Sequence, residues 1–102
     1  MKREIRISKR AMKKLDNLLD FLEKEWSVKV KHKFILKLDK LLNQIQKLPD
    51  SFPESEKIRG LRKCVLTSQT TVFYKYSDTT IDIVTIFDNR QNPKSLIKET
   101  KD

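Results

Sequence analysis

Residues 60–93, GLRKCVLTSQTTVFYKYSDTTIDIVTIFDNRQNP, constrain what this chain can fold into more than any other stretch. They open on the sole glycine, Gly60, and close on a proline, and two short polar connections divide them into three runs of strand character. In the first run Leu61, Lys63 and Val65 share one face and Arg62, Cys64 and Leu66 the other. The second run, residues 70–76, sets Val72, Tyr74 and Tyr76 against Thr71, Phe73 and Lys75. The third, residues 80–87, sets Ile81, Ile83, Thr85 and Phe87 against Asp82, Val84 and Ile86. Connections as short as residues 67–69 and 77–79 force antiparallel neighbours. Apolar side chains on both faces of the second and third runs place these two strands at the centre of the sheet. Such a meander must bury at least one face, and the preceding residues supply the cover.

Residues 3–7 alternate polar and apolar, with Ile5 and Ile7 on one face, which predicts a short strand at a sheet edge. Ser8 then caps a helix whose apolar stripe is Met12, Leu15, Leu18, Leu19, Leu22 and Trp26, with Phe21 just off it. Ser27 caps a second, longer helix with the stripe Val30, Phe34, Leu38, Leu41, Ile45 and Leu48, widened by Ile35 and Leu42. Pro49 ends it, because proline disfavours helical geometry in the residue before it. No glycine or proline separates the two stripes, so they read as a helical hairpin. Residues 49–59 form a loop that Phe52 and Ile58 pin to the core, and residues after Pro93 have room for one helical turn through Leu96 and Ile97. The expected fold is α+β: an N-terminal strand, a helical hairpin, then a three-stranded antiparallel meander, with the helices on one side of the sheet. At 102 residues this is one domain, spanning residues 1–102.

Charge narrows the function. The net charge is +9, and residues 1–50 carry +7 of it. Lys9, Arg10, Lys13 and Lys14 crowd the first turns of a helix, where each cation opposes the helix dipole at a cost of a few tenths of a kcal/mol. A surface of this kind attracts nucleic-acid phosphates or an acidic protein. One cysteine, Cys64, and one histidine, His32, do not make the usual zinc ligand set, and a single glycine leaves no room for a Gly-rich phosphate loop. Cys64 reads as a small sheet residue and His32 as a surface histidine. The expectation is therefore no metal and no small-molecule cofactor. Lysines interrupt every apolar run, so no membrane span is expected; the N-terminus lacks the apolar core of a signal peptide, and the lone cysteine suits a reducing cytoplasm. The chemistry-bearing groups that remain are Arg59, Arg62, Lys63 and Lys75 on or beside the strands, Tyr74 and Tyr76 among them, and Arg90 and Lys94 after the last strand. Arginine forks and aromatic rings suit phosphates, unstacked bases or acidic protein segments.

Pro49 closing the second helix, Gly60-Leu61-Arg62-Lys63, Val72-Phe73-Tyr74-Lys75-Tyr76, the apolar strand ending at Phe87, and Arg90-Gln91-Asn92-Pro93 follow one another in an order that resembles the RelE/ParE superfamily of bacterial toxins. The likeness covers nearly the whole chain and is greater to ParE-like members at the C-terminus. The resemblance implies a growth-inhibiting toxin, of the sort tied to plasmid stabilisation, encoded beside a cognate antitoxin whose disordered segment folds across it. RelE-like members cut ribosome-bound mRNA; ParE-like members inhibit DNA gyrase and are not nucleases. Carried onto this sequence, a ribonuclease (mRNA interferase) would use Arg62, Lys63, Tyr74 and Arg90, the arginines on the phosphate and Lys63 or Tyr74 for proton transfer. A binding toxin would meet its target through Arg59, Arg62, Lys75, Arg90 and Lys94. Nucleases of the family also use a C-terminal tyrosine or histidine, and no residue after Phe87 is either, which favours a protein target such as gyrase. A non-toxic basic RNA-binding module is the third alternative.

Overall fold

The computed structural model describes residues 2–89. Strand β1 (Glu4–Ile7) is followed by helices α1 (Lys9–Glu25) and α2 (Val28–Lys47), a 3-10 turn (Pro49–Ser51), and strands β2 (Arg62–Thr67), β3 (Thr70–Tyr76) and β4 (Thr80–Asp88). The four strands form one sheet in the order β1-β4-β3-β2. β2, β3 and β4 run antiparallel as a meander, and β1 pairs in parallel with β4, Ile5 opposite Ile81 and Ile7 opposite Ile83. The expected α+β fold, with its edge strand, helical hairpin and central third and fourth strands, is the observed one. The turn of helix after Pro93 falls outside the described residues.

Both helices start at the predicted caps. Ser8 Oγ accepts from Ala11 N at 3.0 Å and Ser27 Oγ from Val30 N at 3.1 Å, each satisfying one backbone donor of a first turn. The core between helices and sheet joins Phe34, Leu38, Leu41 and Ile45 of α2, and Ala11 with Leu15, Leu18, Leu19 and Leu22 of α1, to Cys64, Leu66, Val72, Tyr74, Ile81, Ile83 and Ile86. Four residues assigned to the helical stripes sit elsewhere. Met12 is 42% exposed and Trp26 69%, and Ile35 and Leu48 are exposed as well. Trp26 and Leu48 are C-cap residues, turned off their helical faces by non-helical backbone, so the spacing rule stops applying to them.

β4 departs from the predicted alternation. Phe73 pairs with Thr85 but Tyr74 pairs with Ile83, which leaves Val84 as an extra residue. A bulge of this kind reverses the in–out order beyond it. Ile86 therefore joins Ile81 and Ile83 beneath the helices, and Phe87 joins Phe73, Val84, Leu61 and Ile58 in a second cluster on the other face. Both assignments are opposite to those expected from strict alternation. The Val84 carbonyl, released from the ladder, accepts a 2.8 Å hydrogen bond from Ser8 Oγ, so the bulge also seats the start of α1.

The loop after α2 is tied down by β2 and β3. Tyr74, wholly buried, donates its hydroxyl to Pro49 O at 2.6 Å, and Phe52 meets its ring edge-on at 6.5 Å. Lys63 N donates to Pro53 O at 3.0 Å, and Ser55 N to Leu61 O at 2.7 Å. Gly60 turns the chain into β2 with φ of +89°, a conformation that costs an L-residue roughly 1–2 kcal/mol.

Candidate partner-binding site

The helical hairpin does not close completely over the sheet. Between α1, α2 and the Thr70 end of the meander lies a groove of about 710 Å³. Leu18, Phe21, Leu22 and Trp26 line it from α1, Val30 and Phe34 from α2, and Ile86 and Phe87 from β4. Lys14, Lys33 and Lys37 add cations to this lining, with Lys14 Nζ 5.6 Å from the centre of the Phe87 ring. Phe21 and Trp26 are exposed here. Apolar walls with basic flanks fit an amphipathic segment whose polar edge is acidic. The sequence singled out the cations of the first helix but not this groove, since it took Trp26 as core; an aromatic residue at the last turn of a helix was the available signal.

The residues predicted from sequence are spread over different parts of the sheet. Arg62 and Tyr74 are cross-strand partners on the helix-facing side. Arg62 Nη1 donates to Phe52 O at 2.6 Å and to Asp50 O at 3.3 Å, and Nη2 lies 3.9 Å from a carboxylate oxygen of Glu54. Its guanidinium stands 5.6 Å from the centre of the Tyr76 ring. The Tyr74 hydroxyl is pushed up to about 12 by burial, against a smaller opposing pull from the Arg62 charge. It is thus a neutral donor to the loop at physiological pH. Lys63 is half-buried and Lys75 exposed, and both alternate away from Arg62, Lys63 opposite Phe73 and Lys75 opposite Asp82. Arg59 is exposed in the loop. Arg90 and Lys94 lie outside the described residues. Cys64 is buried, and desolvation raises its thiol to about 11, which makes it an inert core residue. No group of three or more His, Cys, Asp or Glu arranged to hold a metal occurs among the described residues. No helix among them is long and apolar enough to cross a membrane.

The fold and its groove define a small basic α+β domain with a lysine-flanked apolar cleft on its helical side. Comparison with known proteins places it more closely. The family described as the ParE toxin of the type II toxin-antitoxin system, parDE, matches residues 5–93, and the chain belongs to that family, within the RelE/ParE superfamily. Among solved structures, the chromosomal ParDE toxin-antitoxin system of P. aeruginosa is similar in fold, with a TM-score of 0.70 at 16% identity over 84% of this chain and 95% of that one. The E. coli DinJ-YafQ toxin-antitoxin complex gives 0.61 at 16% identity over 88% and 96%. The YoeB dimer of Staphylococcus aureus gives 0.60 at 15% identity over 85% and 97%. No curated protein matches the sequence.

Proposed function

We propose that this chain is the toxin of a cytoplasmic toxin-antitoxin pair, that a cognate antitoxin neutralises it by laying an amphipathic acidic segment in the groove, and that the freed toxin binds DNA gyrase. The observation that carries the proposal is the ParE family match over residues 5–93. The groove supports the mode of neutralisation: its apolar walls need cover, and Lys14, Lys33 and Lys37 flank it with positive charge. The Tyr74 hydroxyl, a proton-transfer candidate in a ribonuclease of this superfamily, is committed elsewhere, which supports a binding toxin. It donates to the Pro49 carbonyl and is wholly buried. Target contacts then fall to the exposed cations, Arg59 and Lys75, with Arg90 and Lys94 beyond the described residues.

Inducing the chain in cells while mapping RNA ends and measuring DNA supercoiling tests the target. Lost supercoiling with intact mRNA is expected. Codon-positioned mRNA cuts with normal supercoiling would replace gyrase with ribosome-bound mRNA as the target, and unaffected growth would remove the toxin assignment itself.

A further inference from the structure

At the far end of β3 from the groove, Tyr76 organises a second basic site. Two guanidinium groups lie over its ring, Arg3 at 5.7 Å from the ring centre and Arg62 at 5.6 Å. Each contact is a cation–π attraction, worth roughly 0.5–1 kcal/mol at an exposed site. Both arginines are also fixed by hydrogen bonds. Arg3 Nε donates to Ser77 O at 2.8 Å, and the Arg3 carbonyl accepts from the Gln46 side-chain amide. Arg62 is fixed by Phe52 O and Asp50 O. A guanidinium carries five donors, so these bonds leave donors for a ligand, and a side chain already held loses little entropy when it binds one.

The chemistry of that ligand follows from what is already there. Glu54, whose side chain is 73% exposed, sits 3.9 Å from Arg62, too far for a strong hydrogen bond but on the site's own chemistry. The Tyr76 ring, occupied by two cations, orders the arginines and is a poor platform for stacking a base. Fixed guanidinium forks match carboxylates in pairs. We propose that Arg3, Tyr76 and Arg62 form a carboxylate clip that binds an acidic segment of a protein, with Glu54 as its resident competitor. The clip stands apart from the groove, so its failure would leave the proposed function untouched.

Nuclear magnetic resonance on the full chain tests it. The probe is an acetylated, amidated peptide of alternating Glu and Asp, six residues long, at fixed ionic strength, with inorganic phosphate and oligouridylate as parallel probes. Saturable shifts at the Arg3 and Arg62 Nε–H signals and at Ser77 are expected with the peptide. Arg3→Gln, with an otherwise unchanged spectrum, is expected to weaken binding roughly tenfold, the scale of one charge-assisted contact. Glu54→Gln is expected to tighten it, an effect that a purely structural Arg62 would not produce. Equal shifts with phosphate, stronger binding of oligouridylate, an unaltered affinity in Arg3→Gln, or no gain in Glu54→Gln would each overturn the clip.

Discussion

Tyr74 combines full burial with a polar hydroxyl, and the Pro49 carbonyl resolves the conflict by accepting its hydrogen bond. Tyr74→Phe keeps the ring's packing but strands that carbonyl, so it is expected to lower unfolding stability by about 1 kcal/mol in urea titration. The hydroxyl's affinity for its proton is raised in the folded state, from 10.0 to about 12. Stability from this group is therefore complete below pH 10 and falls as pH rises towards 12, because only the unfolded chain releases the proton in that window. Cys64, raised from 9.0 to about 11, adds a loss that begins nearer pH 9. Alkaline unfolding curves should flatten above pH 10 in Tyr74→Phe; an unchanged slope would contradict the assignment. Strand alternation put Tyr74 on one face with Val72, and Cys64 on one face with Leu66, without deciding which face the helices cover. It could not supply the hydroxyl's partner, because Pro49 is 25 positions away and meets the strand only after the chain has folded.

Two local devices hold the elements in register, and both depend on single residues. Ser8 caps α1 and also donates to the bulged Val84 carbonyl, whereas Ser27 caps α2 alone. Ser27→Ala should cost about 1 kcal/mol, the usual value of a lost cap. Ser8→Ala should cost about 1 kcal/mol more, because it also leaves the bulge carbonyl without its donor. Thermal melts of the two variants compare them directly, and equal losses would mean that the bulge does not need Ser8. Gly60→Ala is expected to destabilise by roughly 1–2 kcal/mol through positive φ alone, since nothing lies within 4 Å of the added carbon. The caps, the proline stop and the meander were legible because each obeys a local rule. The bulge was not, because a run of Ile, Val, Thr, Ile and Phe is apolar enough to satisfy either face, so its parity is set by pairing with β3 and not by its own pattern. The same limit separated the site residues: strand pairing sets Arg62 opposite Tyr74 and brings Arg3 to Tyr76, and alternation within single strands supplied neither contact.

Across the whole molecule the positive charge is concentrated on the helical hairpin, where the groove opens, and the meander closes the groove from below. If an acidic antitoxin segment fills that groove, its association should slow as salt rises from 0.1 to 1 M, as the screening length shrinks from about 10 to about 3 Å. Lys33→Glu with Lys37→Glu should slow association at low salt while leaving the fold intact, since both side chains are exposed. The sole tryptophan reports on the same surface, because Trp26 lines the groove and is 69% exposed in the toxin alone. The most direct measurement is therefore Trp26 emission during titration with the proposed cognate antitoxin, made tryptophan-free. A saturable blue shift, lost together with binding in Phe21→Asp, is predicted. Tight binding that leaves Trp26 emission unchanged would place the antitoxin elsewhere and contradict the groove as the neutralisation site.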